Sequence, residues 1–218
     1  MDPAEKRITE IIRILRKAYP ESRTVLYYRT PFQIMISTIL AAQCTDARVN
    51  KITPYLFKKY KTIRDFAEAK EPVLQQEIRS TGFYRNKAKN IIANAGKIIK
   101  DFKGRVPDTM DELVSLPGVA RKTANIVLSS GFKKAEGIAV DTHVKRLSGR
   151  LGLSTHENPD KIEKDLMGIV PKEDWLDFNY MLVNHGRKIC KAARPLCPDC
   201  VINRLCPSAK KFYPGIKI

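Results

Sequence analysis

Apolar positions recur at helical spacing along nearly the whole chain. Ile8, Ile11, Ile12 and Leu15 lie on one helical face, and Phe32, Met35, Ile36, Ile39 and Leu40 repeat the pattern after a Thr30-Pro31 start. Thr30 with Gln33 fits a capping box. Val49, Ile52 and Leu56 mark another helix. Ala88, Ile91, Ile92, Ala95, Ile99 and Phe102 mark a long one that should stop at Gly104, and Thr109 with Glu112 opens the next. Ala124, Val127 and Leu128 then trace a helix ending near Gly131, Asn158-Pro159 starts one carrying Ile162, Leu166 and Ile169, and Pro171 begins one more. Only Thr24 to Tyr28 and Gly137 to Val140 read as extended, each too short and isolated to build a sheet, so the expected class is all-α.

Composition sets the boundaries of this picture. A chain of 218 residues with 43% hydrophobic content buries a core without disulfide or other staples. Forty Lys and Arg against 23 Asp and Glu leave a net charge of +17, whose natural counterpart is a polyanion such as nucleic acid or an anionic membrane. The longest nearly apolar stretch, Ile34 to Ala42, is interrupted by Ser37 and Thr38 and is too short to span a bilayer, so it reads as a buried helix. The charged start, Met1 to Arg7, lacks the apolar run of a secretory signal, and the expected location is intracellular. No repeat, low-complexity tract or Ser/Gly linker divides the chain.

Three constellations carry chemistry. The first is Leu116-Pro117-Gly118-Val119-Ala120-Arg121-Lys122, a tight turn between two helical patterns. The first amides of a helix lack intrahelical acceptors and its dipole favours an anion, so a phosphate suits this place, although an ordinary helix connection uses the same Pro and Gly. Lys122 falls in the first turn of the second helix, beside Arg121. Dipole and neighbour both oppose its charge, which favours the neutral amine a nucleophile needs; an Arg-Lys pair is also what a solvated basic face looks like. The second is Val140-Asp141-Thr142-His143-Val144, an acid at a helix start. Asp141 reads as an N-cap, a role compatible with stabilising positive charge on a sugar ring and moving protons, and His143 reads as a polar residue of the helix face. The third is Cys190-x6-Cys197-x2-Cys200-x5-Cys206, four of the five cysteines within seventeen residues. In a reducing compartment this set signals metal rather than disulfides, and the ligand type alone admits tetrahedral zinc or an iron-sulfur cluster. Lys191 and Arg194 inside this loop, with Arg187 and Lys188 before it, are placed to touch phosphates. Cys44, standing alone, reads as a small buried hydrophobe.

Together these residues resemble the endonuclease III family, helix-hairpin-helix DNA glycosylases with an iron-sulfur cluster, and the likeness runs from Pro31 through Cys206. The resemblance implies that the hairpin from Leu116 to Lys122, including Gly118, Val119, Ala120 and Arg121, grips DNA phosphate, that Lys122 is the nucleophile, and that Asp141 is the partner acid. It selects a four-iron, four-sulfur (4Fe-4S) cluster on Cys190, Cys197, Cys200 and Cys206. Ala41-Ala42-Gln43-Cys44-Thr45-Asp46 resembles the family loop whose glutamine fills the gap left by an extruded nucleotide, a role carried to Gln43. Thr81 to Ala88 resembles its second wedge loop, with Phe83 where the family often has Leu; an apolar side chain there replaces lost stacking while the duplex bends. Core packing is the other reading of Phe83. Ala120 stands where many members carry Gly, which places position 120 in right-handed backbone if the hairpin is to survive.

The implied architecture is a two-lobed helix-hairpin-helix fold, with a six-helix domain over residues 24–134. A discontinuous second domain, residues 1–23 and 135–218, carries the cluster, and the DNA cleft lies between Lys122 and Asp141. The implied activity is a monomeric, bifunctional DNA glycosylase and abasic-site lyase acting on oxidised pyrimidines in double-stranded DNA. Three rivals remain. A mismatch glycosylase of the same superfamily lacks lysine at the hairpin position, and an adenine-mismatch enzyme carries a further C-terminal domain where only twelve residues follow Cys206. A non-catalytic DNA-binding relative would use hairpin and metal as supports. An electron-transfer protein would leave the hairpin and the +17 charge without a purpose.

Overall fold

The computed structural model describes residues 3–216, and every regular element among them is helical. They form two compact units, one from Val25–Glu136 and one from the described parts of Met1–Thr24 and Gly137–Ile218. Among the described residues no helix is long and apolar enough to cross a membrane.

In chain order, α1 (Pro3–Ala18) is followed by the helices of the central unit: α2 (Pro31–Ala41), α3 (Asp46–Lys59), α4 (Ile63–Ala67), α5 (Glu71–Glu77), α6 (Tyr84–Phe102), α7 (Met110–Val114) and α8 (Arg121–Ile126). The nearly apolar run of α2 is buried on every side that matters, from Phe32 through Leu40, and packs against α3, α6 and α8. Phe66 of α4 anchors this core, with its ring 5.4 Å from Phe32 and 4.9 Å from Tyr60. The start of α2 follows its sequence signal with one shift. Thr30 Oγ1 accepts from the Gln33 amide at 3.2 Å, but the Gln33 side chain accepts from the Arg29 amide rather than from the cap residue itself.

The stretch Thr24 to Tyr28, read as extended from sequence, forms no strand and bends at Leu26. Asn50 of α3 holds it, accepting from the Tyr27 amide at 2.9 Å and donating to the Val25 carbonyl at 2.7 Å. The helix predicted to end near Gly131 changes pitch on the way: α8 passes into a π-helical turn, Val127–Phe132, closed by Lys133 in left-handed backbone. A Cβ at Gly131 would crowd the Pro31 backbone at 3.1 Å, where α2 begins.

The second unit continues with α9 (Thr142–Arg150), α10 (Pro159–Ile169), α11 (Trp175–Lys188) and the short α12 (Ala209–Phe212). The apolar face of α1, Ile8, Ile11, Ile12 and Leu15, is wholly or almost wholly buried and packs against α10 and α11. Asn158 caps α10 as its sequence predicts, accepting from the Asp160 and Lys161 amides. Gly137 to Val140, read as extended from sequence, forms no strand, and its apolar residues Ile138 and Val140 join the core of this unit.

Candidate active site

In the central unit the hairpin is built on α6. The periodicity that buries Ile91, Ala95 and Ile98 also buries Lys87 and Asn94, two polar residues on the same face. Asn94 Nδ2 donates to the Pro117 carbonyl at 2.6 Å, fixing the turn, while Leu116 and Val119 are buried in the core on either side of it. Gly118 between them has φ +71, and a Cβ added there would lie 2.3 Å from Asn90 Nδ2. The left-handed backbone therefore favours glycine, and any side chain there would also have to displace Asn90. Gly118→Ala is expected to destabilise the protein by about 2 kcal/mol or more, measured by denaturant unfolding, and to weaken DNA binding in parallel.

Ala120 corrects the sequence reading. It is extended, φ −81 and ψ 166, as the N-cap of α8, rather than right-handed. As expected its φ is not positive, so alanine carries no strain there, and the left-handed position of the turn falls at Gly118. Because the first bond of the α8 ladder runs from the Ala124 amide to the Ala120 carbonyl, the amides before it lie in the first turn, outside the ladder. Lys122 occupies that turn with an exposed side chain, beside the half-buried Arg121.

Gln43 and Phe83 are both exposed and both in left-handed backbone, at φ 53 and φ 49. Phe83, 62% exposed, is not a core residue. Cys44 is half-buried against the core of this unit.

In the other unit Asp141 caps α9. Its Oδ1 accepts from the His143 and Val144 amides, each at 2.8 Å. His143 Nδ1 lies 3.1 Å from Arg146 Nη2. The four clustered cysteines line one cavity whose wall is otherwise largely apolar, with Leu147, Ile189, Leu196 and Ile202 contributing. Among the described residues no three His, Cys, Asp or Glu side chains converge as a single metal ion demands.

Basic side chains of α9 knit the loop that carries the first thiol. Arg150 Nη1 lies 3.3 Å from Cys190 Sγ and donates to the Lys191 carbonyl at 2.7 Å, while its Nη2 donates to Ala192. Arg146 reaches the Cys190 and Gly186 carbonyls. Burial pushes the thiols of Cys197 and Cys206 up and that of Cys200 up to about 12. Buried thiolates in this cavity thus need a cation to hold them. His185, behind Cys200 with Nε2 3.3 Å from its sulfur and Nδ1 3.0 Å from the Tyr19 hydroxyl, is held neutral by burial, its pKa brought down to about 4. Lys191 and Arg194 are exposed on the same loop.

Sequence reasoning missed Lys87, Asn90, Asn94, Arg146, Arg150 and His185. Only their helical phase signals them: Lys87 and Asn94 share a face with Ile91 and Ile98.

Residues 36–172 match the model of the HhH-GPD superfamily of base excision DNA repair proteins. The chain is 50% identical over 210 residues to endonuclease III of Synechocystis sp., covering 96% of both chains, and 46% identical over 194 residues to that of Bacillus subtilis, covering 88% of both. A solved structure of a trapped endonuclease III–DNA covalent intermediate superposes with a TM-score of 0.90 at 44% identity, covering 95% of this chain and 97% of the other. The chain belongs to the endonuclease III family, base excision repair DNA glycosylases that are also abasic-site lyases.

Proposed function

We propose that this chain excises oxidised or ring-saturated pyrimidines from double-stranded DNA and cuts the strand at the resulting abasic site, with Lys122 acting in both steps. The observation that carries this reading is the exposed Lys122 in the first turn of a hairpin helix, in a chain 44% identical across its length to a protein trapped covalently on DNA.

C1′ of a stacked, paired nucleotide is closed to an amine, so the damaged nucleotide must first be extruded. The hairpin from Gly118 to Arg121 holds a backbone phosphate, and Gln43 and Phe83 fill the vacated stack. The neutral Lys122 amine attacks C1′ as the bond from C1′ to the base breaks and the base leaves with a proton. Opening of the sugar ring gives a Schiff base, which acidifies a C2′ proton; its removal expels the 3′ phosphate by β-elimination. We assign to Asp141 the stabilisation of positive charge on the sugar and the transfer of these protons, through Oδ2, since both cap bonds fall on Oδ1.

Cys190, Cys197, Cys200 and Cys206 would hold the 4Fe-4S cluster: four soft donors share one cavity, and cationic Arg150 stands beside the first of them. When bound, the cluster ties the loop carrying Lys191 and Arg194 into a fixed shape against which phosphates are positioned.

The test is turnover of duplexes carrying either a ring-saturated pyrimidine or a mismatched normal base, with borohydride present. The expected result is a covalent adduct with the first. Release of normal mismatched bases without any adduct would instead favour the mismatch-specific reading.

A further inference from the structure

We propose that Lys87 is a positioning residue that holds the two gap-filling loops in a shared register, through three hydrogen bonds from one buried ammonium group. The proposal rests on the reading that Gln43 and Phe83 occupy the vacated stack.

Lys87 lies on the buried face of α6 and is 5% exposed. Its Nζ donates to the carbonyls of Leu40 at 2.8 Å, Ala42 at 2.8 Å and Thr81 at 2.9 Å. An ammonium has three donors, and all are used. Two acceptors come from the last turn and cap of α2, one residue before Gln43; the third ends the turn Arg79–Thr81, two residues before Phe83. No carboxylate takes part. The negative end of the α2 dipole offsets the charge instead, while burial holds the amine below the usual lysine range.

Backbone strain gives this contact its purpose. Four described non-glycine residues have positive φ: Gln43, Phe83, Lys103 and Lys133. The two lysines close helix ends with a bond reaching six residues back, Gly104 N to Ile98 O and Lys134 N to Leu128 O, each at 3.0 Å. Gln43 and Phe83 have no such closure: a shorter bond from the Cys44 amide to the Ala41 carbonyl follows the first, and Phe83 opens a helix in left-handed backbone without a side-chain cap. Strained residues of this kind persist only where the surroundings over-determine them. Lys87 supplies that determination to both, through carbonyls separated by about forty residues of chain.

A lysine that merely stabilised the fold would, once removed, lower every activity by the fraction unfolded. One that positions the wedge loops leaves cleavage at a single-stranded abasic site intact, since no partner strand must be parted and no stack filled. The full chain carrying Lys87→Met, its folding checked by thermal melting, is assayed on one abasic site in duplex and in single-stranded oligonucleotide. The expected result is a fall of at least about tenfold in duplex kcat, with single-strand cleavage within about twofold of the parent. Equal falls on both substrates, or none on either, overturn the proposal. If the methionine variant does not fold, Lys87→Gln, which keeps two donors on a shorter arm, decides by the same ratio. The Gln43→Ala/Phe83→Ala double variant separates the two claims. If it leaves duplex cleavage unchanged, the gap-filling reading fails. If it loses duplex cleavage while the Lys87 variants do not, only the role of Lys87 fails.

Discussion

Lys122→Ala is expected to abolish both base release and strand cleavage, a loss of at least about a thousandfold in kcat, while the protein still binds duplex DNA. The side chain is exposed and sits on a hairpin whose shape is set by Leu116, Gly118, Val119 and Asn94, so its removal leaves the fold undisturbed. The salt slope of binding should stay close to that of the parent, because a neutral amine aimed at C1′ neutralises no phosphate. Borohydride applied during turnover should trap the parent chain on the oligonucleotide and leave the variant untrapped. An adduct that persists in the variant assigns the Schiff base to another lysine; loss of binding together with cleavage would place Lys122 among the phosphate contacts.

The second large effect belongs to the cysteine cavity. Cys200→Ala is expected to yield a colourless protein without iron. The missing cross-link should lower stability by at least about 2–4 kcal/mol, the scale of one covalent tie across a loop. Metal analysis and thermal unfolding check both parts. The loop between Cys190 and Cys197 would keep its bonds to Arg146 and Arg150, so the damage should concentrate around Cys200, Ile202 and Cys206. Zinc in place of iron in the purified parent would return the site to the other metal that four thiols admit.

Features that are local in sequence were legible before any coordinates. The helical phase of Ile8 to Leu15, the caps Thr30, Asp141 and Asn158, and the stop at Gly104 each depend on a few neighbouring residues. At Ala120 the absence of a positive φ was foreseen but the extended ψ was not, because that ψ comes from its place as N-cap of α8 while Gly118 carries the positive φ. Lys87 was hidden for a different reason. A lysine in a chain with forty basic residues reads as solvated, and its acceptors lie 47, 45 and 6 residues away. The π turn after α8 was equally hidden, since Val127 and Leu128 continue the helical phase of Ala124 into it.

α6 fixes three segments: the end of α2 and the turn Arg79–Thr81 through Lys87, and the hairpin through Asn94. Seven positions separate Lys87 from Asn94, two turns or about 10.5 Å of rise. This rod thereby sets the spacing and the angle between the hairpin and the two loops. Its length between those two residues is consequently not adjustable: adding or deleting one residue there would swing the hairpin by about 100° about the axis relative to the loops, a far graver change than most substitutions of the intervening side chains.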